Sequence, residues 1–75
     1  MKNLRSKIEN LKSGKNVKWV YNGYEFTISK NAENFELDCH ISEGWALIVI
    51  PTLEEVLNIF DNPELLNDLK WSVLG

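Results

Sequence analysis

Met1, Leu4, Ile8 and Leu11 recur at three- and four-residue spacing, with Arg5, Glu9 and Lys12 placed to pair on the polar side, which predicts an amphipathic helix. Ser13-Gly14 closes it, since glycine readily takes the left-handed conformation that follows many helix ends. From Val17 to Ile28 the period falls to two. Asn22-Gly23 supplies the positive-φ positions of a type I′ hairpin turn, so Tyr21 faces Tyr24, Val20 faces Glu25, Trp19 faces Phe26, Lys18 faces Thr27 and Val17 faces Ile28. The large side chains then share one face, and Lys18, Val20, Glu25 and Thr27 share the wet one. Aromatics beside lysines also suit single-stranded nucleic acid, but their confinement to the one apolar face reads better as core.

Ser29 to Asn34 is a polar loop, after which Phe35, Leu37, Cys39 and Ile41 alternate with Glu36, Asp38 and His40 in a third strand. Ser42-Glu43-Gly44 turns the chain into Trp45–Ile50, an apolar run rich in β-branched residues and stopped by Pro51. Both faces of this strand are apolar, Trp45, Leu47 and Val49 on one and Ala46, Ile48 and Ile50 on the other. It therefore calls for cover on both sides: either the N-terminal helix crosses to the second face, or a partner covers Ile48 and Ile50. Thr52 stands three residues before Glu55, a capping box, and Leu53, Val56, Leu57 and Phe60 share one face of the helix that follows. Asp61-Asn62-Pro63 ends that helix and opens a last one, with Leu66, Leu69 and Val73 in its stripe and Leu65 beside them. Trp71 either folds over the core because the helix has ended, the favoured reading, or lies opposite the stripe as an exposed hot-spot residue.

The fold expected is a single α+β domain over residues 1–75 in the order α-β-β-β-β-α-α. It has an antiparallel meander of three to four strands, an N-terminal helix and two C-terminal helices, packed mainly on one face. A chain of 75 residues has room for one core and buries only about 60% of its unfolded surface.

Charge divides the chain more sharply than its total of −3 suggests. Residues 1–18 carry Lys2, Arg5, Lys7, Lys12, Lys15 and Lys18 against Glu9, a net +5, whereas residues 19–75 carry two lysines against ten carboxylates, a net −8. Such polarity either steers a partner or marks two differently solvated faces. No apolar run approaches the roughly 20 residues of a membrane span. The single cysteine, Cys39, has no internal disulfide partner; both features point to a cytoplasmic protein without membrane contact.

Candidate chemistry is sparse. Cys39 faces the core while His40 faces out, so they form no thiolate–imidazolium pair, although Asp38 and His40 share a face and a weak pH response. One histidine and one cysteine make no metal site of the usual kind, and Gly14, Gly23, Gly44 and Gly75 are too scattered for a phosphate loop. No cofactor, metal or enzymatic activity is expected. The leading expectation is an interaction protein that uses Glu25, Glu36, Asp38, His40 and Trp71 to occupy a larger protein. In its sharper form it is an acidic inhibitor competing for the basic groove of a nucleic-acid-processing enzyme. Small acidic phage-encoded inhibitors of nucleases work in this way, an analogy of size and charge alone. The alternatives are direct nucleic-acid binding through Lys2, Arg5, Lys7, Lys12, Lys15 and Lys18, the less favoured, and a self-associating structural subunit, such as a homodimer joined through Ile48, Ile50 or Trp71.

Overall fold

The computed structural model of the chain describes the backbone of residues 2–41 and 44–73, and the side chains of those residues other than Lys2, Asn3 and Ile41. Met1, expected in the first helical stripe, and Ser42-Glu43, expected to open a turn, lie outside the described residues. Among the described residues a five-stranded antiparallel sheet carries helices at both ends of the chain. The elements are α1 (Lys2–Glu9), β1 (Asn16–Tyr21), β2 (Tyr24–Asn31), β3 (Asn34–Ile41), β4 (Gly44–Ile50), α2 (Leu53–Asp61), a 3-10 helix (Pro63–Asp68) and β5 (Ser72–Val73). The strands lie in sequence order, each antiparallel to the next.

The first hairpin has the register its turn dictates, with Asn22 at φ 57° and Gly23 at φ 83°. The second differs from expectation. The stretch 29–34 is not a loop: β2 runs on to Asn31, and Ala32-Glu33 alone turns the chain into β3. Ala32 sits at φ 56°, a position normally given to glycine in such turns, which is why the residue pattern conceals the hairpin. Its N–H donates to Ser13 Oγ at 3.3 Å.

Cross-strand pairing extends the two faces over the whole sheet. Val17, Ile28, Leu37 and Ile48 form one row, and Trp19, Phe26, Cys39, Ala46 and Val73 the next, on the face that the helices cover. Ile8, Val56, Ile59 and Leu66 press onto these rows, and Ile8 and Ile28 lose all contact with solvent. Trp19 stacks on Phe26 with ring centres 5.8 Å apart and meets Phe60 edge-on at 5.6 Å, so the aromatic residues of β1, β2 and α2 join in one cluster.

Three expectations about the helices are corrected. α1 stops at Glu9, where Asn10 Nδ2 donates to Ser6 O at 2.8 Å, and Gly14 caps nothing. Gly14, at φ 84°, belongs instead to a turn in which Lys15 N–H donates to Lys12 O, while Gly14 N–H donates to Lys30 O at 3.0 Å. In α2, Thr52 Oγ1 accepts from Glu55 N–H at 3.2 Å as the cap pattern requires, but Ile59 is buried along with Val56. The last helix is a six-residue 3-10 segment, after which Ser72–Val73 pairs with β4, leaving Val73 in a strand and not in a helical stripe.

β4 also takes the opposite orientation to that expected. Cys39 pairs with Ala46, which carries Ala46, Ile48 and Ile50 to the helices and leaves Trp45, Leu47 and Val49 on the bare face. Neither helix crosses to that face: α1 and α2 pack together, α1 against β1 and α2 against β4.

Two outcomes test this arrangement. Ile50→Thr should destabilise by about 2–4 kcal/mol, because it removes packing and buries a hydroxyl, whereas Val49→Thr should stay within about 0.5 kcal/mol. Urea unfolding of both variants reads the contrast. Ala32→Gly should raise stability by roughly 0.5–1 kcal/mol, the relief of left-handed strain exceeding the added chain entropy of glycine.

Candidate functional site: the open face of the sheet

The helix-free face is built from the residues that alternate with the core. Its rows are Asn16–Ser29–Glu36–Val49, then Lys18–Thr27–Asp38–Leu47–Ser72, then Val20–Glu25–His40–Trp45. β1 contributes the cation Lys18, β2 and β3 the carboxylates Glu25, Glu36 and Asp38 together with His40, and β4 an apolar stripe. Trp45 is 41% exposed, Val49 55% and Val20 64%, high values for residues of this size. Thr27 is nevertheless buried.

Glu25 and His40 are direct cross-strand partners, and both are exposed. Glu36 accepts from Asn31 Nδ2 at 3.3 Å. Asp38 is the least satisfied member. Its Oδ1 is shielded from water and, among the described residues, has no hydrogen-bond donor. Burial raises its pKa above the ordinary aspartate value, Glu36 raises it further, and His40 pulls it back. No ion pair joins Asp38 to His40 or to Lys18 among the described residues.

Glu25, Glu36, Asp38 and His40 therefore share one surface. Trp71 does not join them. It folds over the helix-covered side, donates from Nε1 to Leu66 O at 3.1 Å, and has its ring centre 6.4 Å from Phe26, walling a groove with Tyr21 and Tyr24. Trp45, Leu47 and Val49 were missed as members of the bare face. A two-residue connection from Ile41 to Gly44 would have signalled them, since it sets Cys39 opposite Ala46.

The basic residues are scattered. Arg5 is held by Asp61, Nε lying 3.1 Å from Oδ1 and Nη2 3.3 Å from Oδ2, and its Nη1 lies 3.1 Å from Glu9 Oε2. Asp61 is also the main reason that the Arg5 pKa is raised. Lys2 lies on α1, and its side chain is outside the described set. Lys7 is on α1, Lys12 and Lys15 flank the following turn, and Lys18 projects from the opposite side of the sheet.

The chain matches no family model, no curated protein and no solved structure. The chemistry of the site must be read from its own groups. Among the described residues no three His, Cys, Asp or Glu side chains gather closely enough to hold a metal ion, and no helix is long and apolar enough to cross a membrane. Cys39, the one thiol, is buried on the helix side, where desolvation raises its pKa and keeps it protonated.

Because the folded chain holds the Asp38 proton more tightly than the unfolded chain, this group favours folding at low pH. That contribution is lost as pH rises from about 3.9 through the raised folded value. Asp38→Asn should remove this component, so the difference in stability between variant and parent should change with pH across that interval and level off above it. Urea midpoints measured from pH 3 upward check the sign.

Proposed function

We propose that this chain is a small non-enzymatic interaction module that docks the open face of its sheet onto a larger protein. The observation that carries the reading is the stripe Trp45, Leu47 and Val49, exposed in whole or part beside Glu25, Glu36 and Asp38. An apolar strip on a rigid face, flanked by carboxylates, suits a protein surface that presents apolar groups beside cations. Four strands about 4.8 Å apart and about seven residues long give a platform on the order of 15 by 23 Å. That platform, about 350 Å² on one side, falls below the roughly 600 Å² per partner of the smallest stable interfaces, so the partner must also grip the edges or bind transiently.

The sharper form is an acidic inhibitor that covers a basic nucleic-acid-binding groove of a nucleic-acid-processing enzyme, in the cytoplasm. Net charge of −8 over residues 19–75 would speed encounter with such a groove, and Glu36 and Asp38, two residues apart on one face, space their charges at about 6.6 Å. Direct nucleic-acid binding is less favoured, because Arg5 is engaged by two carboxylates and Lys18 stands on the other side of the sheet from α1.

The test is affinity capture with wild type, with Trp45→Ala, and with the charge-reversed Glu25→Lys, Glu36→Lys, Asp38→Lys variant. Wild type should retain a nuclease-insensitive protein and displace nucleic acid from it. Trp45→Ala should weaken binding by about 30-fold, corresponding to a hot-spot loss of about 2 kcal/mol, and charge reversal should abolish it. Equal retention by all three proteins would refute docking through this face. Retardation of DNA or RNA at low salt would instead favour the basic residues, and a dimer broken by Trp45→Ala would favour self-association.

A further inference from the structure

Asp38 occupies the middle of the open face, with Thr27 and Leu47 as its cross-strand neighbours. A carboxylate oxygen that is withdrawn from water and, like Asp38 Oδ1 among the described residues, receives no donor has lost hydration without a compensating bond, a cost that folded chains normally avoid. The charged and titratable groups around it are Glu36 and His40 on its own strand, Glu25 on β2 and Lys18 on β1, and among the described residues none makes an ion pair with it. Trp45 is the partner of His40, which makes it the diagonal neighbour of Asp38 and within reach of a shared guest. Asp38 and Trp45 line one shallow depression together with Lys18, Thr27, Ser29 and His40, so one cation of the chain itself already borders it.

We infer that this depression receives a single arginine side chain of the partner, its guanidinium against the Asp38 carboxylate and its plane on the Trp45 ring. The inference rests on the open face being the docking surface. Arginine fits better than lysine on three counts: the guanidinium is flat, it is weakly hydrated, and it donates through a fork. Stacking on an indole uses the first two properties, and the Asp38 carboxylate uses the third. The soft terminal torsion of aspartate allows Asp38 to turn either oxygen toward the guest. Lysine would enter only by shedding a tighter hydration shell, and its point charge gains nothing from a flat aromatic face.

The test uses the full isotope-labelled chain and three blocked tripeptides, Leu-Arg-Leu, Leu-Lys-Leu and Leu-citrulline-Leu. The arginine peptide should shift the Trp45 indole N–H and the amides of Thr27 and Asp38. The lysine peptide should bind about three-fold or more weakly, and the citrulline peptide should leave the spectrum unchanged. Asp38→Asn should abolish the response while folding at least as stably as the parent, because it replaces a donor-starved charge with a neutral amide. The arginine response should also fade on acidification, as protonation removes the carboxylate charge. Equal binding of lysine, a response retained by Asp38→Asn, or no open-face shift with any peptide would overturn the arginine site. If Trp45→Ala still weakens capture of the protein partner, the docking face survives that result; if neither Trp45→Ala nor charge reversal affects capture, the docking reading itself falls.

Discussion

A sheet needs cover on each apolar face, and the described residues hold helix enough for one. α1 and α2 are eight and nine residues long, and the 3-10 segment adds six. Helices so short have little stability alone and persist because Ile8, Val56, Ile59 and Leu66 bury against the sheet. Moving any of them to the second face would expose the rows through Ile28 and Phe26. The bare face is therefore a consequence of length, and the residues the chain places there decide what it can do.

β4 is where this constraint is felt. A strand with apolar residues on both faces is normal inside a doubly covered sheet, but here only Ala46, Ile48 and Ile50 receive cover. Trp45 and Val49 remain largely exposed, and β5, two residues long, protects only part of the outer edge. For stability alone, polar residues at these positions would serve as well. Their exposure beside three carboxylates is the feature on which the proposed docking rests.

Much of this was legible in the residue pattern, and the failures have a common cause. The first hairpin could be read to the residue because Asn22-Gly23 states its turn type, and strict alternation in β3 separated Cys39 from Glu36, Asp38 and His40. The second hairpin was hidden because Ala32 occupies a left-handed position without a glycine to announce it. The facing of β4 was lost because a continuous apolar run has no period, so only the connection after Ile41 sets its parity, and one residue of slip inverts every side chain. The 3-10 helix and β5 were hidden for a different reason. Leu65, Leu66 and Leu69 satisfy a helical stripe, and only tertiary contacts, such as the bond from Trp71 Nε1 to Leu66 O, stop the helix from continuing.

Charge placement follows from the same one-sided architecture. The basic N-terminal segment and the acidic remainder form two poles along the sequence, yet folding partly cancels them where α1 meets α2, through Arg5 and Asp61. On the open face no such compensation occurs among the described residues. Lys18 lies across Thr27 from Asp38 without pairing to it, and Glu36 adds like charge on the same strand. A chain of this size has little stability to spare, so an unpaired half-buried carboxylate at the centre of its one uncovered face is costly there. That cost and the exposed stripe beside it fall on the same few square nanometres. A partner bearing one well-placed cation and an apolar contact would relieve both at once, and this joint relief is the physical basis of the proposed docking.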